Sequence, residues 1–190
     1  MVDIRKWKKL IMHWLTDVVE LPRRAIFLDY HTEIHIFVDA STVAYAAAVY
    51  ARTIISEDVK GTNLVFAKSR IAPIKGMATP RLELLSVLIG VRAGQFVIKQ
   101  FQKQPHSITL WSDSTCVLYW ITNYTKLLPR FVQSRVDEIR SSKFNIRYIP
   151  SQDNPADIAT RGLSPPHLRN SKQWWKGPHW LIEPESKWPT

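Results

Sequence analysis

The chain carries a single cysteine in 190 residues. Cys116 therefore has no partner for an internal disulfide and cannot build a cysteine-based zinc site. Set within the apolar helical pattern "STCVLYWI", it reads as a packing thiol. The six histidines show no metal-ligand spacing, and His35, inside a strand-forming run, reads as a sheet residue with a satisfied hydrogen bond. No apolar run approaches the ~20 residues that span a bilayer. The opening "MVDIRKWKKLIMHWL" has no long apolar core or small-residue cleavage site, so no signal peptide is read and a cytosolic or nuclear setting is expected. Repeats and low-complexity tracts are missing too. Acid is also scarce: Lys and Arg total 26 against 16 Asp and Glu, a formal charge of +10. That imbalance points to a polyanionic partner, nucleic acid first.

What is present suits a globular domain. The chain is 45% hydrophobic and 22% charged, and a domain of this length buries roughly 70% of its unfolded surface. Leu10, Ile11, Trp14, Leu15 and Val18 recur at helical spacing until Pro22, giving one amphipathic helix over 7–21. Strand-like runs follow at 34–39, 44–52 and 63–71, the last two joined by "SEDVKGT" as a hairpin loop. The period then changes. "TPRLELLSVLIGVRAGQFVIKQF" opens with Thr79 as N-cap and Pro80 at the first helical position, and is apolar on most faces, which places it between layers. "SITLWS" at 107–112 and "FNIRYI" at 144–149 are strands; "DSTCVLYWITN", "PRFVQSRVDEIRSSK" and "NPADIATRG" are helices. Arg130, Arg135, Arg140 and Lys143 on the second of these read as a solvated face or as a nucleic-acid track, which the sequence does not separate. The order predicts a mixed sheet with helices on both faces. Residues 163–190, rich in Pro and Trp, read as an extended tail that packs back or links onward.

Four acids fall at element ends: Asp39 closes the apolar strand "IHIFVDAS", Glu83 lies in the first turns of the long helix, Asp113 joins the fourth strand to its helix, and Asp157 lies in the last short helix. Singly, each has an ordinary role as a cap or a helix-dipole partner. Taken together, they would meet at one sheet edge if the first and fourth strands are neighbours. Gathered carboxylates repel unless a cation neutralises them. Hard divalent ions favour all-oxygen sites, and a pair of such ions can activate water and stabilise a leaving phosphodiester oxygen.

"IFVDAS…AYAAAVY", "TPRLELL", "LWSDSTCVLYWI" and "YIPSQDNPADIATRG" resemble the four blocks of the retroelement ribonuclease H domain in its Pao/BEL-type retrotransposon form. The resemblance covers about residues 34–162. It implies an α/β ribonuclease H-like fold with a five-stranded mixed sheet, and hydrolysis of the RNA strand of RNA–DNA hybrids with two Mg²⁺ or Mn²⁺ ions. It carries the metal-binding role onto Asp39, Glu83, Asp113 and Asp157. Ser41, Thr79, Arg81, Ser114 and Thr115 become expected substrate contacts, the hybrid being told from DNA by its 2′-hydroxyls. "ELPRRAI" resembles the join after a reverse transcriptase, and "WWKGPHWL…WP" the approach to integrase. Residues 1–33 are accordingly expected as helix and connector from the reverse-transcriptase region, with 163–190 as tail or linker. Reverse-transcriptase and integrase regions of one polyprotein are the implied partners, with a monomeric domain in a cytoplasmic particle or the nucleus. Two departures stand out: Gln152 occupies the loop where many of these enzymes place a histidine, and "TNYTKLLPRF" is too short for the basic protrusion of cellular enzymes. An integrase-type nuclease expects Glu on a late helix in place of Asp157, and a four-acid exonuclease expects an acid at Ser41. A non-catalytic, connection-type nucleic-acid-binding module, or an inactive retroelement remnant, is the alternative of a different class.

Overall fold

β1 (His31–Ala40) is the central strand of a five-stranded sheet in a computed structural model that describes residues 2–14, 30–56, 60–101 and 104–189. β2 (Ala44–Ile54) and β3 (Lys60–Ile71) continue from it as an antiparallel meander, while β4 (Ser107–Ser112) pairs parallel to its other side and β5 (Asn145–Tyr148) parallel to β4. The sheet order is β3-β2-β1-β4-β5. The mixed sheet and the neighbouring first and fourth strands are as the sequence led us to expect. α1 (Val2–Met12) precedes the sheet; the expected continuation through Leu15 and Val18 to Pro22, and part of the "SEDVKGT" loop, lie outside the described residues.

The two faces of the sheet are built differently. On one, Ile34, Ile36 and Val38 of β1 and Leu110 of β4 pack under α2 (Thr79–Lys99), α3 (Thr115–Thr122) and α4 (Arg130–Ser141). Two glycines set the closeness of α2. A Cβ on Gly90 would collide with Val38, and one on Gly94 would stand 2.5 Å from Ile36. α2 begins one residue earlier than expected: Ala78, not Thr79, holds the cap position, with extended backbone and no side-chain cap, so Thr79 is the first helical residue and Pro80 the second. Proline is tolerated there because the first turn has no intrahelical partner for its missing N–H. Among the described residues no helix is long and apolar enough to cross a membrane.

Strand alternation sends Phe37 of β1, Tyr50 of β2 and Trp111 of β4 to the opposite face. α5 (Ala156–Arg161) covers the part nearest the end of β1. The remainder is covered by residues 163–189, which are folded rather than extended: α6 (Pro165–Asn170), α7 (Lys172–Lys176) and two 3-10 turns at His179–Ile182 and Glu185–Lys187. Trp180, Leu181 and Trp188 are buried here with Phe37, Tyr50, Trp111 and Ile149. Trp111 is the hub, its ring 6.1 Å from Phe37, 5.0 Å from Trp180 and 5.8 Å from Trp188. Polar ties fix the strap: Tyr50 donates to the Trp174 carbonyl at 2.7 Å, Thr62 donates to that of Lys176, and Arg52 donates to that of Glu183 at 3.2 Å.

His35, fully buried, completes this face. Its Nδ1 accepts from the Trp111 indole at 3.2 Å, so Nε2 carries the proton toward Glu33, 3.4 Å away. Burial holds the His35 ring neutral, below its ordinary range, against the pull of Glu33. Burial also opposes ionisation of Glu33. The hydrogen bonds from His35 and Arg52, the Arg52 charge and a hydrogen bond from His31 outweigh it and hold that carboxyl at about 2.

Candidate active site

Register brings two of the acids together. Val38 pairs with Ser112 as the last rung of the parallel β1–β4 ladder, so Asp39, still in β1, and Asp113, one residue beyond β4, follow side by side where that ladder stops. Asp39 lies on the face that α5 covers, and α5 brings Asp157 to the same end. Burial pushes the Asp39 carboxyl above the usual carboxylate range; a hydrogen bond from Thr160 resists this, while the charges of Asp113 and Asp157 push the same way. Asp39 thus feels two acids carried by elements far from it in sequence.

Each acid is held by a partner of its own. Thr160 Oγ1 donates to Asp39, Ser151 Oγ donates to Asp113 Oδ2 at 2.5 Å, and Arg161 pairs with Asp157 at 2.6 Å, one helical turn on. Glu83 belongs to α2 on the other face and reaches the rim through Ser114, whose Oγ donates to its carboxylate at 2.5 Å. The same oxygen accepts from the Val117 backbone N–H and so caps α3. The capping role open to Asp113 in "DST" therefore falls to Ser114, leaving the Asp113 carboxylate free of that duty. Among the described residues no three His, Cys, Asp or Glu side chains stand close enough to share a metal ion as they are placed.

The remaining expected residues lie around this rim in different conditions. Ser41 is engaged in the β1–β2 turn, donating to the Ala44 carbonyl and accepting from the Val43 and Ala44 N–H groups. Thr79 and Thr115 are exposed at the starts of α2 and α3, and Arg81 is exposed with its guanidinium 5.3 Å from the Phe131 ring. Gln152 is exposed in the 3-10 turn Ser151–Asp153, its carbonyl facing Gln173 Nε2 at 3.5 Å. Cys116 is half-buried; burial, then the Glu83 charge, pushes its thiol up, which suits packing and not nucleophilic attack. Arg140 is no solvated bystander: it donates to the carbonyls of Trp120, Ile121 and Asn123 and closes the C-terminus of α3. Arg135 likewise lies 3.6 Å from the Phe131 ring centroid.

Three residues of the site escaped the sequence reading. Asn154 is 2% exposed and donates to the Val38 carbonyl at 2.9 Å while accepting from Ala156 N–H at 3.1 Å, pinning the start of α5 to the last turn of β1 before Asp39. Thr160 and Ser151 are the hydroxyl partners already described. An Asn-Pro pair opening a helix is a turn signal, so Asn154 had a local cue; the two hydroxyls had none.

A family model, the Pao retrotransposon-like RNaseH-like domain, matches residues 2–114, a stretch containing Asp39, Glu83 and Asp113 and ending before Asp157. The chain belongs to the Pao retrotransposon-like RNaseH-like domain family. No curated protein matches it. Among solved structures, RNase H1 from the halophilic archaeon Halobacterium salinarum is 14% identical with a TM-score of 0.42, over 64% of this chain and 86% of that one. LC11-RNase H1, solved in complex with an RNA/DNA hybrid and isolated from compost by a metagenomic approach, is 12% identical with a TM-score of 0.42, over 65% and 88%. A foamy viral protease-reverse transcriptase, solved with double-stranded DNA, is 10% identical with a TM-score of 0.43, over 77% of this chain and 25% of that one.

Proposed function

We propose that this chain is a metal-dependent endonuclease that hydrolyses the RNA strand of RNA–DNA hybrids, the ribonuclease H portion of a retrotransposon polyprotein. The observation that carries this reading is the strain at Asp39: a buried carboxylate at a strand end, pushed toward protonation by burial and by two further acids. A protein keeps such a costly arrangement where a cation relieves it.

The donor set fits a hard divalent ion, being carboxylate oxygen throughout. Asp39, Glu83, Asp113 and Asp157 are the residues that would hold Mg²⁺ or Mn²⁺. A pair of such ions, when bound, supplies a more acidic attacking water and a countercharge for the leaving oxygen. The chain's own contribution is placement. β1, buried from Ile34 to Asp39, holds Asp39 more rigidly than a loop could; Asn154 fixes α5 against β1, and Ser114, Ser151 and Thr160 each hold one carboxylate at the rim. Thr79, Arg81 and Thr115, exposed at the rim, are the groups available to sugar and phosphate oxygens. The partners under this reading are the hybrid and the reverse-transcriptase and integrase regions of the same polyprotein, in a cytoplasmic particle or the nucleus.

A single assay tests the reading. A labelled RNA–DNA hybrid is incubated with the chain and Mg²⁺ or Mn²⁺, beside Asp39→Asn and Asp113→Asn. Cleavage of the RNA strand that falls at least 100-fold in both variants is expected. Turnover indifferent to either substitution, or equal cutting of duplex DNA, would sink it.

A further inference from the structure

The loop that carries Ser151 has a second neighbour. Within three residues the 3-10 turn Ser151–Asp153 passes from the Asp113 carboxylate to the wall of a cleft of about 450 Å³, lined by Gln152 and Asp153 on one side and Lys172, Gln173, Lys176, Gly177, Pro178 and His179 on the other. That distance along the chain is at most ~10 Å. The cleft opens to solvent beside the acid cluster, and one of its walls is the C-terminal strap.

The wall is basic and firmly placed. Lys172 and Lys176 are one helical turn apart on α7 and so share a face; both are exposed, as is His179. Among the described residues no carboxylate pairs with either lysine, the Lys176 ammonium meeting only the neutral amide oxygen of Asn63 at 2.6 Å. Asp153 is the acid in the cleft, and the Gln152 and Gln173 amides add neutral donors. α7 is held to the sheet by the Tyr50 and Thr62 hydroxyls. Gly177 then turns the chain at φ +76, where a Cβ would stand 3.3 Å from the Tyr50 ring. A rigid pair of unneutralised ammonium groups, one loop away from carboxylates proposed to act on a phosphodiester, is complementary to the next phosphates of the same strand.

We infer that the cleft between the 151–153 turn and α7 is a backbone-phosphate subsite, in which Lys172 and Lys176 hold the nucleic-acid strand as it leaves the acid cluster. The inference rests on the hybrid-cleaving reading above. It gives the strap a second task beyond covering the sheet, and supplies electrostatic grip that the short "TNYTKLLPRF" turn does not. Lysine–phosphate pairs of this type carry no base information, so the subsite serves any sequence.

The test is binding of a fluorescein-labelled RNA–DNA hybrid by the full chain, followed by anisotropy without divalent cation over about 50 to 200 mM salt. Lys172→Gln/Lys176→Gln is expected to weaken binding several-fold and to reduce the slope of log affinity against log salt by about 1–2, at ~0.9 for each phosphate that is no longer neutralised. Asn63→Ala, which removes the amide that Lys176 meets and keeps the lysine's charge, and Lys8→Gln/Lys9→Gln, which removes the same charge from α1, should both follow the parent. An unchanged slope in the strap variant overturns the inference and leaves the nuclease reading standing. An equal loss in the α1 variant also overturns it, because net charge alone would then be responsible. A parent chain that retains no hybrid also overturns this inference, while the cleavage assay with Mg²⁺ or Mn²⁺ decides the nuclease reading separately.

Discussion

Deleting residues 163–190 should unfold the domain, even though the removed segment contains none of the four acids. The deletion uncovers Phe37, Tyr50, Trp111 and Ile149, each fully buried in the intact chain. At about 1.5–3 kcal/mol per large apolar side chain, leaving the four exposed costs roughly 6–12 kcal/mol. The whole stability of a domain is only about 5–15 kcal/mol. Conformational entropy regained by the severed backbone belongs to a chain no longer attached, so it returns nothing to the remainder. Urea titration followed by far-UV circular dichroism should show a broad, early transition in the truncated chain, with binding of a dye that reports exposed apolar surface. A graded version guards against trivial failure. Trp180→Ala in the full chain should cost about 3–5 kcal/mol, whereas Trp180→Phe should cost far less, because the Trp180 indole N–H has no acceptor among the described residues and its hold is by packing. A truncated chain with the parent's urea midpoint and no dye binding would refute the reasoning.

Glu33→Gln should remove an acid-sensitive component of stability. Its folded pKa of about 2 against an ordinary 4.5 means that the stabilisation is present above 4.5 and is lost as pH falls toward 2. Allowing for solvent at the carboxylate's edge, this amounts to about 1–2 kcal/mol, and acid unfolding as steep in the variant as in the parent would contradict it. Gly90→Ala should lower the thermal midpoint, since collision with Val38 costs about 1–3 kcal/mol and exceeds the roughly 0.5–1 kcal/mol gained in helix propensity; a raised midpoint would show that α2 can lift off the sheet freely. Asp39→Asn should be inactive yet more heat-stable than the parent at pH 7. The folded state holds the Asp39 proton more tightly than the unfolded chain does, so the parent loses stability as pH rises through the ordinary carboxylate range, and the gap should narrow at acid pH. Calorimetry at pH 4 and pH 7 checks this, and a variant less stable at both values would count against it.

Asp39 and Asp113 were legible because strand alternation and chain order are local properties: an apolar run ending on an acid announces a strand end, and the adjacent parallel strands then put the two acids together. The long α2 announced itself by the apolar run from Leu82 to Val97. What holds the acids was not legible. Thr160 and Asp39 are partners only after α5 crosses the sheet, and no spacing rule links a hydroxyl to a carboxylate on another element. The strap resisted for a different reason. α6 and α7 are six and five residues long, too short to display a 3.6-residue period, and of the prolines that suggest an extended tail, Pro165 opens α6 while Pro178 and Pro184 cap the two 3-10 turns. Trp180 and Trp188 acquire meaning only against Trp111.

The strap also bears on synthesis. Tyr50 and Trp174, partners in the finished sheet, are made far apart in time, because the ribosome delivers the N-terminus first. The β1–β2–β3 meander and α2 can form while the rest is still being translated, but Phe37 and Tyr50 have no cover until Trp180 and Trp188 have emerged. Through that interval the nascent chain shows an aromatic sheet face to its surroundings, a surface that chaperones capture and that aggregates when it is left bare. A protease that cut between α5 and α6 before docking would strand the chain in that state, whereas the same cut made after docking would leave the aromatic face covered for as long as the strap stayed bound.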